Sequence, residues 1–272
     1  MSSRTIDPKP VSPIYGPVLS WRVGWSLGVD LICETSVCSF NCVYCQLGNI
    51  QRHVYERRLW VTTEKVMQDL EKSDWEKSDI ITFSGSGEPT LALNIGDVVR
   101  AMRERTGKPT LILTNGTTLR DAEVRKDIAD SDKVFVKIDA ASEEMFQRVN
   151  RPVDGFSLSN ILEWTKLFKK EYSGYLGIQS MFLPANVKEV EALVELLQDV
   201  EPDEVQLNTP KRPYPDDWYL PSRGSHGEVP YPARPLKTIS QTQADEIEEL
   251  LRERTGLNIV SVYQGAETES QK

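Results

Sequence analysis

Short apolar runs alternate with amphipathic stretches along most of the chain. Residues 27–32, 80–83, 110–114, 134–138, 176–182 and 204–207 are brief, rich in apolar and β-branched side chains, and bounded by glycine, proline or polar clusters. They predict six short buried strands. Between them the apolar spacing switches to the helical period. Val66, Met67 and Leu70 share one side of 63–72, and Ile95, Val98, Val99 and Met102 form a stripe that ends before Gly107, a C-cap. Leu158, Ile161, Leu162, Thr165 and Phe168 repeat as a packing face, and two shorter helices are predicted over 121–129 and 142–149. Asn186 and Glu189 have capping-box spacing ahead of Val190, Leu193, Val194 and Leu197. Ser240 and Gln243 have it ahead of Ile247, Leu250 and Leu251, with a strand expected at 258–262.

This βα alternation favours a parallel sheet protected by helices over a sandwich or a helical bundle. Six units make an open, curved sheet or incomplete barrel, with the loops that follow the strands gathered on one rim. The expected organisation is an edge extension over 1–25 and a core over 26–208. The segment 209–272 starts with a proline- and aromatic-rich stretch holding Tyr214, Trp218, Tyr219 and Tyr231, read either as a cover over the site or as a packed irregular connection.

Composition narrows the class. The 272 residues are 39% hydrophobic and 27% charged, which suits a folded soluble protein. The apolar runs are too short for a transmembrane span, and the first residues lack the apolar centre of a signal peptide. Four cysteines confined to 33–45 could not staple the rest of the chain, so a reducing cytoplasm is expected. A formal charge of −9 opposes loose attraction to polyanions. Local pairs such as Arg57-Arg58 and Lys211-Arg212 keep a structured RNA open as a partner, with solvated charge as the plain reading of each.

The chemistry concentrates in Cys38-Ser-Phe-Asn-Cys42-Val-Tyr-Cys45, directly after the first predicted strand. Thiolate is a soft ligand suited to iron and sulfide, and three of them hold three irons of a four-iron cluster while the fourth stays open. A disulfide, a four-cysteine zinc site that includes Cys33, and plain buried thiols are the other readings. As a fourth cluster ligand Cys33 would close the open iron, so it is expected in a supporting or core position. His53 and His226, the two histidines, stand alone and receive no catalytic role. The loop Ser84-Gly85-Ser86-Gly87-Glu88-Pro89 allows close backbone approach and offers a carboxylate to a cation, or is simply a turn. Asn115 ends a strand where it either meets substrate or supports a turn, and Lys137 and Asp139 share one side of the next strand end. Lys137 suits a carboxylate and Asp139 suits hydroxyls; a salt-bridged lysine and a turn aspartate are the plain alternatives. Gln179 and Ser180 on the following strand are weaker candidates.

With Tyr44 directly before Cys45, the spacing of Cys38, Cys42 and Cys45 resembles the radical S-adenosylmethionine superfamily. The resemblance implies a partial (βα)6 TIM-like barrel in which the three thiolates ligate a [4Fe-4S] cluster. It implies S-adenosylmethionine on the open iron through its amine and carboxylate, and a low-potential electron donor. Reductive cleavage would then give methionine and a 5′-deoxyadenosyl radical that abstracts hydrogen from substrate. The loop of Gly85, Ser86, Gly87 and Glu88 corresponds to the family's glycine-rich segment that receives the methionyl amine. Ser86 standing at the first glycine of that triplet turns the expectation toward backbone recognition. Tyr44 is the implied adenine neighbour, and Asn115, Lys137, Asp139, Gln179 and Ser180 are implied cofactor contacts. The runs Tyr15-Gly16-Pro17-Val18, Ser26-Leu27-Gly28-Val29-Asp30-Leu31, Gln46-Leu47-Gly48 and Asn150-Arg151-Pro152 are similar to a compact group related to wyosine-type tRNA-modifying enzymes. Some of those rebuild a guanine in tRNA with pyruvate and a second cluster. Only Cys33 remains here for such a cluster, which leaves the substrate open among small molecules, peptides and RNA. The contrasting function is a noncatalytic zinc-stabilised or iron-sensing interaction protein.

Overall fold

Residues 11–224 and 229–263 are described in the computed structural model; His226 lies outside them. One sheet of eight strands organises the chain: β1 (Ile14–Ser20), β2 (Gly24–Val29), β3 (Ile80–Phe83), β4 (Thr110–Thr114), β5 (Lys133–Lys137), β6 (Tyr175–Met181), β7 (Glu204–Asn208) and β8 (Ile259–Ser261), neighbours in that same order. β1 runs antiparallel to β2, and all the other pairs are parallel. Helices α1 (Thr63–Leu70), α2 (Ile95–Thr106), α3 (Ala122–Ile128), α4 (Glu143–Val149), α5 (Leu158–Glu171), α6 (Val190–Val200) and α7 (Gln241–Thr255) occupy the connections. Sequential order follows when every crossover has the same hand, and the sheet curls into a half-barrel of the expected class.

Strand periodicity separates the two faces. Leu27, Val29, Ile81, Phe83, Ile112, Val134, Val136, Ile178 and Val205 pack into the helix-side core. Their neighbours Ser26, Gly28, Thr82, Ser84, Leu111, Leu113, Phe135, Lys137 and Gln179 line the lumen instead. At the end where the parallel strands begin, Ile80, Leu111 and Phe135 with Val23, Leu113 and Tyr175 form a separate apolar floor. The α2 stripe of Ile95, Val98, Val99 and Met102 is fully buried, each side chain contributing about 1.5–3 kcal/mol, and Gly107 ends the helix at φ 64°. The capping box at Ser240 and Gln243 is formed.

Two expectations are corrected. The first parallel strand ends at Val29 instead of residue 32, because Asp30 Oδ1 accepts the backbone N–H groups of Ile32 (3.0 Å) and Cys33 (2.9 Å) and turns the chain off the ladder. Leu31 and Ile32 stay buried outside any strand. The capping box at Asn186 and Glu189 is not formed: a 3₁₀ turn, Val187–Glu189, separates Asn186 from α6, so the spacing no longer spans one helix end. Asn186 instead accepts from Leu183 N (2.7 Å) and donates to the carbonyls of Asp139 (2.7 Å) and Met181 (2.8 Å). Glu189 accepts from the N–H groups of Ala141 (2.9 Å) and Ser142 (3.2 Å) and from the Ser142 hydroxyl, satisfying donors at the start of α4.

Candidate active site

The cysteine segment leaves β2 at the end of the sheet where the parallel strands finish, and backbone bonds hold it on several sides. Val37 N donates to Ser86 O (2.9 Å) and Glu88 N to Val37 O (3.0 Å), which zips the segment to the loop after β3. That contact requires Gly87, since a Cβ there would lie 1.7 Å from Val37 O. Asn41 N donates to the carbonyls of Asn150 and Arg151, and Val43 N donates to Val149 O (2.9 Å), fastening the segment to the end of α4. On the outer side Val37–Cys38 pairs with Arg52–His53, and His53 Nε2 contacts Ser39 O at 3.2 Å. His53 therefore braces the loop backbone.

Cys38, Cys42 and Cys45 all line one cavity of 360 Å³ that runs into the lumen. Burial pushes all three thiols up: Cys38 well above its ordinary value with Glu88 adding to the shift, Cys42 to about 12 with Asp139 adding, and Cys45 by burial against the lowering pull of the Leu47 amide and Lys137. N–H groups nevertheless point at the sulfurs. Cys38 Sγ accepts from Phe40 N (3.4 Å) and Asn115 Nδ2 (3.5 Å), and Cys42 Sγ from Asn150 Nδ2 (3.6 Å). A thiol in this surrounding is neutral alone, while a thiolate bound to cationic iron has both its counter-charge and its hydrogen-bond donors. The donor set therefore fits an iron–sulfur cluster. Asn150 Oδ1, buried beside these sulfurs, has no partner among the described residues.

The other expected residues divide into lining and support. Gly85, Gly87, Glu88, Asn115, Lys137, Gln179 and Tyr44 border the cavity. Ser86, Asp139 and Ser180 do not. Ser86 Oγ donates to Asp30 Oδ2 (2.6 Å), Ser180 Oγ to Ile138 O (2.6 Å) on the far face of β6, and Asp139 accepts from the Tyr44 hydroxyl, Asn150 Nδ2 (2.6 Å) and Met181 N (2.7 Å). Glu88 reaches the cavity with its oxygens already taken by Thr90 N (3.1 Å), Thr90 Oγ1 (2.6 Å), Thr114 Oγ1 (2.8 Å) and Asn115 N (2.7 Å). Burial raises its pKa against those bonds. Lys137 lies 3.4 Å from both Asp139 Oδ1 and Gln179 Oε1 and 5.1 Å from the Tyr44 ring.

Cys33 is apart from the triplet. It has φ 71°, its thiol contacts Arg223 Nη1 (3.8 Å) and Val11 O (3.6 Å), and Arg223 pairs with buried Asp30 at 2.9 Å. Within the aromatic stretch Tyr214 donates to Asn49 Oδ1 (2.8 Å) just past the cysteines, and Tyr219 stacks on Tyr231 at 4.5 Å. Sequence reasoning assigned no site role to Asn150, Arg22 or Tyr15. Asn150 stands at the C-cap of α4 in the noted Asn-Arg-Pro run, and Arg22 is the lone charge in an otherwise apolar hairpin turn.

A family model for the radical SAM superfamily matches residues 34–197, from the cysteine segment through α5 and most of α6. The chain belongs to the radical SAM superfamily. It is similar to the UPF0026 protein slr1464 of Synechocystis sp., 43% identical over 245 residues that cover 89% of this chain and 92% of the relative. Among solved structures, Streptococcus suis SuiB bound to precursor peptide SuiA superposes with a TM-score of 0.63 at 13% identity, covering 89% of this chain and 50% of SuiB. TYW1 with a lysine-pyruvate adduct bound gives 0.59 at 15% identity over 85% of this chain and 75% of TYW1. Both show the shared fold. As a radical SAM enzyme the protein uses a [4Fe-4S] cluster and S-adenosylmethionine. No helix among the described residues is long and apolar enough to cross a membrane.

Proposed function

We propose that Cys38, Cys42 and Cys45 hold the single cluster with one iron open, and that the protein cleaves S-adenosylmethionine reductively to remove hydrogen from a substrate seated in the lumen. The observation that carries this reading is the placement of all three thiols, each desolvated, on the wall of one cavity that continues into the half-barrel. When bound, the cluster supplies one electron and the cofactor supplies the 5′-deoxyadenosyl group that takes the hydrogen atom. The chain's own residues position and insulate. Asn115 and Asn150 direct N–H groups at Cys38 and Cys42, which offsets thiolate charge and tunes the metal. Gly85 and Gly87 face the cavity with backbone in place of side chain and receive the methionyl amine, while Glu88 stiffens that loop. Lys137 extends past Tyr44 toward the same space and suits the methionyl carboxylate, with Gln179 beside it. Asp139, Ser86 and Ser180 act by holding Tyr44, Asp30 and the β5–β6 rim in place. Cys33, tied to Arg223 and Asp30, is not a ligand.

Thiolate ligation and an electron supply both suit a reducing cytoplasm. The test is paramagnetic resonance of the reduced cluster in anaerobically reconstituted protein. Adding S-adenosylmethionine changes the signal by binding at the open iron, and an unchanged signal with a fully assembled cluster overturns the reading.

A further inference from the structure

Gly85 and Gly87 present bare backbone to the cavity, so the direction of that loop has to be set from behind it. Its far half is held by Glu88 and by the backbone bonds to Val37. Its near half is held by two hydroxyls. Ser86 Oγ donates to Asp30 Oδ2 (2.6 Å), and Ser84 Oγ lies 3.0 Å from the Tyr15 hydroxyl. The packing leaves no slack, since a Cβ on Gly85 would lie 2.4 Å from Asp30 Cγ.

Both hydroxyl contacts lead to one side chain from far along the sequence. Arg223 Nη1 donates to the same Asp30 oxygen that Ser86 uses (2.9 Å), and its guanidinium lies 5.2 Å from the Tyr15 ring. Its Nη2 donates to Ser12 O (2.6 Å) just before β1. The Arg223 and Asp30 side chains are 9% and 1% exposed, so Arg223 supplies the counter-charge of a desolvated carboxylate. Gly224 presses on the same Tyr15 ring, where a Cβ would lie 2.4 Å away. Arg223 itself does not line the cavity.

Arg223 lies outside residues 34–197, which the radical SAM family model matches. It belongs to the proline- and aromatic-rich segment after β7, and that segment also rests on the end of the cysteine segment. Tyr214 donates to Asn49 Oδ1 (2.8 Å), and Pro215 O lies 3.0 Å from where a Cβ on Gly48 would stand. Buried Ser222 fixes the turn before Arg223 by donating to Tyr219 O (2.5 Å). One segment therefore touches the cysteine side of the site and braces the glycine loop.

We propose that Arg223 is a positioning residue for S-adenosylmethionine. Through Asp30 and Ser86 on one side, and Tyr15 and Ser84 on the other, it fixes the backbone that meets the methionyl amine, which rests on the reading above that Gly85 and Gly87 receive that amine. Backbone acceptors hold an ammonium tightly when their direction is set beforehand, because the ligand then has no loop to order. Loss of Arg223 weakens the cofactor complex without removing a group that touches the cofactor. It also leaves Asp30 buried without its counter-charge, which favours protonation or hydration there over the present geometry.

The test is anaerobic equilibrium dialysis of S-adenosylmethionine against cluster-loaded, unreduced protein. Iron per chain, melting temperature and, after reduction, 5′-deoxyadenosine are measured on the same preparations. R223Q is expected to bind at least about tenfold more weakly with its iron retained, and R223K, which keeps the charge, to stay within about threefold of wild type. At saturating S-adenosylmethionine the R223Q rate of 5′-deoxyadenosine formation stays within about threefold of wild type, as expected for lost binding. S86A cuts one path alone and weakens binding about threefold, and R223Q/S86A binds within about twofold of R223Q because both act on that path. Equal binding by R223Q and wild type overturns the proposal. So does a loss that vanishes when binding is counted per assembled cluster, or R223Q and S86A effects that multiply. Should R223Q fail to fold, S86A decides, and wild-type binding by S86A overturns the proposal. Weaker binding in R223Q, together with no 5′-deoxyadenosine from reduced wild type, keeps the positioning role and overturns the radical reading alone. A wild type that binds no S-adenosylmethionine overturns both.

Discussion

At the scale of single residues, Cys33 shows how environment assigns different roles to chemically equal side chains. Burial first and the Asp30 carboxylate second push its thiol up to about 11, and its sulfur is turned toward Arg223. It is neutral at pH 8 and separated from the triplet. C33A is therefore expected to retain about four irons per chain after anaerobic reconstitution, with unfolding free energy changed by about 1 kcal/mol, while C42A loses the iron. Iron analysis beside denaturant unfolding checks this, and equal iron loss in the two variants contradicts it. The triplet itself was legible because eight consecutive residues fix the spacing of the three proposed ligands without help from the fold. The residues that tune it were not. Asn150 meets Cys42 across 108 positions of chain, and Ser86, an apparent departure from a glycine pattern, is explained by a hydroxyl bond to Asp30 across 56. Such partnerships exist only once the sheet has closed, so no local pattern announces them.

At the scale of elements, the start of α4 depends on a residue from another helix connection. Glu189 accepts from Ala141 N, Ser142 N and the Ser142 hydroxyl, and the far end of α4 holds Asn41 and Val43 of the cysteine segment. E189A is expected to lower stability by about 1–3 kcal/mol, the cost of losing a helix cap and leaving buried donors unpaired. Because α4 anchors the cluster loop, iron content after reconstitution should fall with it. Urea unfolding and iron analysis of E189A test both, and a variant as stable as wild type contradicts the assignment. Helical stripes such as Ile95, Val98, Val99 and Met102 were readable because each packs on one continuous core. Capping at Asn186 and Glu189 was misread because spacing reports what a side chain is able to reach locally, whereas these two side chains serve unsatisfied groups on neighbouring elements. The strand β1 escaped notice for a related reason: as an edge strand half-exposed along its length, it lacks the apolar run that marked the buried strands.

At the scale of the whole molecule, parallel strands in sequential order bring the loops after β2, β3, β4, β5 and β6 to one rim, so residues scattered from Cys38 to Gln179 share one cavity. Desolvation of that rim makes apo-protein stability depend on pH. The Cys42 thiol titrates at about 12 when folded against 9.0 ordinarily, so the folded state prefers the protonated form. The stability this contributes is fully present below pH 9 and is lost as pH rises toward 12, with a slope approaching about 1.4 kcal/mol per pH unit for one thiol. Apo protein unfolded in urea at stepped alkaline pH should show this decline. Cluster-loaded protein, with the thiolates already formed, should show a smaller one. The fold class and the reactive loop were both readable from alternation and cysteine spacing, while the shared lining of the lumen by the β1–β2 turn and the segment after β7 exists only in three dimensions. The most direct measurement of the central claim is chromatographic quantitation of 5′-deoxyadenosine and methionine from anaerobically reconstituted enzyme given S-adenosylmethionine and a strong reductant. The account predicts the two products in equal amounts, dependent on Cys38, Cys42 and Cys45; an enzyme with its cluster fully assembled that forms neither would contradict it.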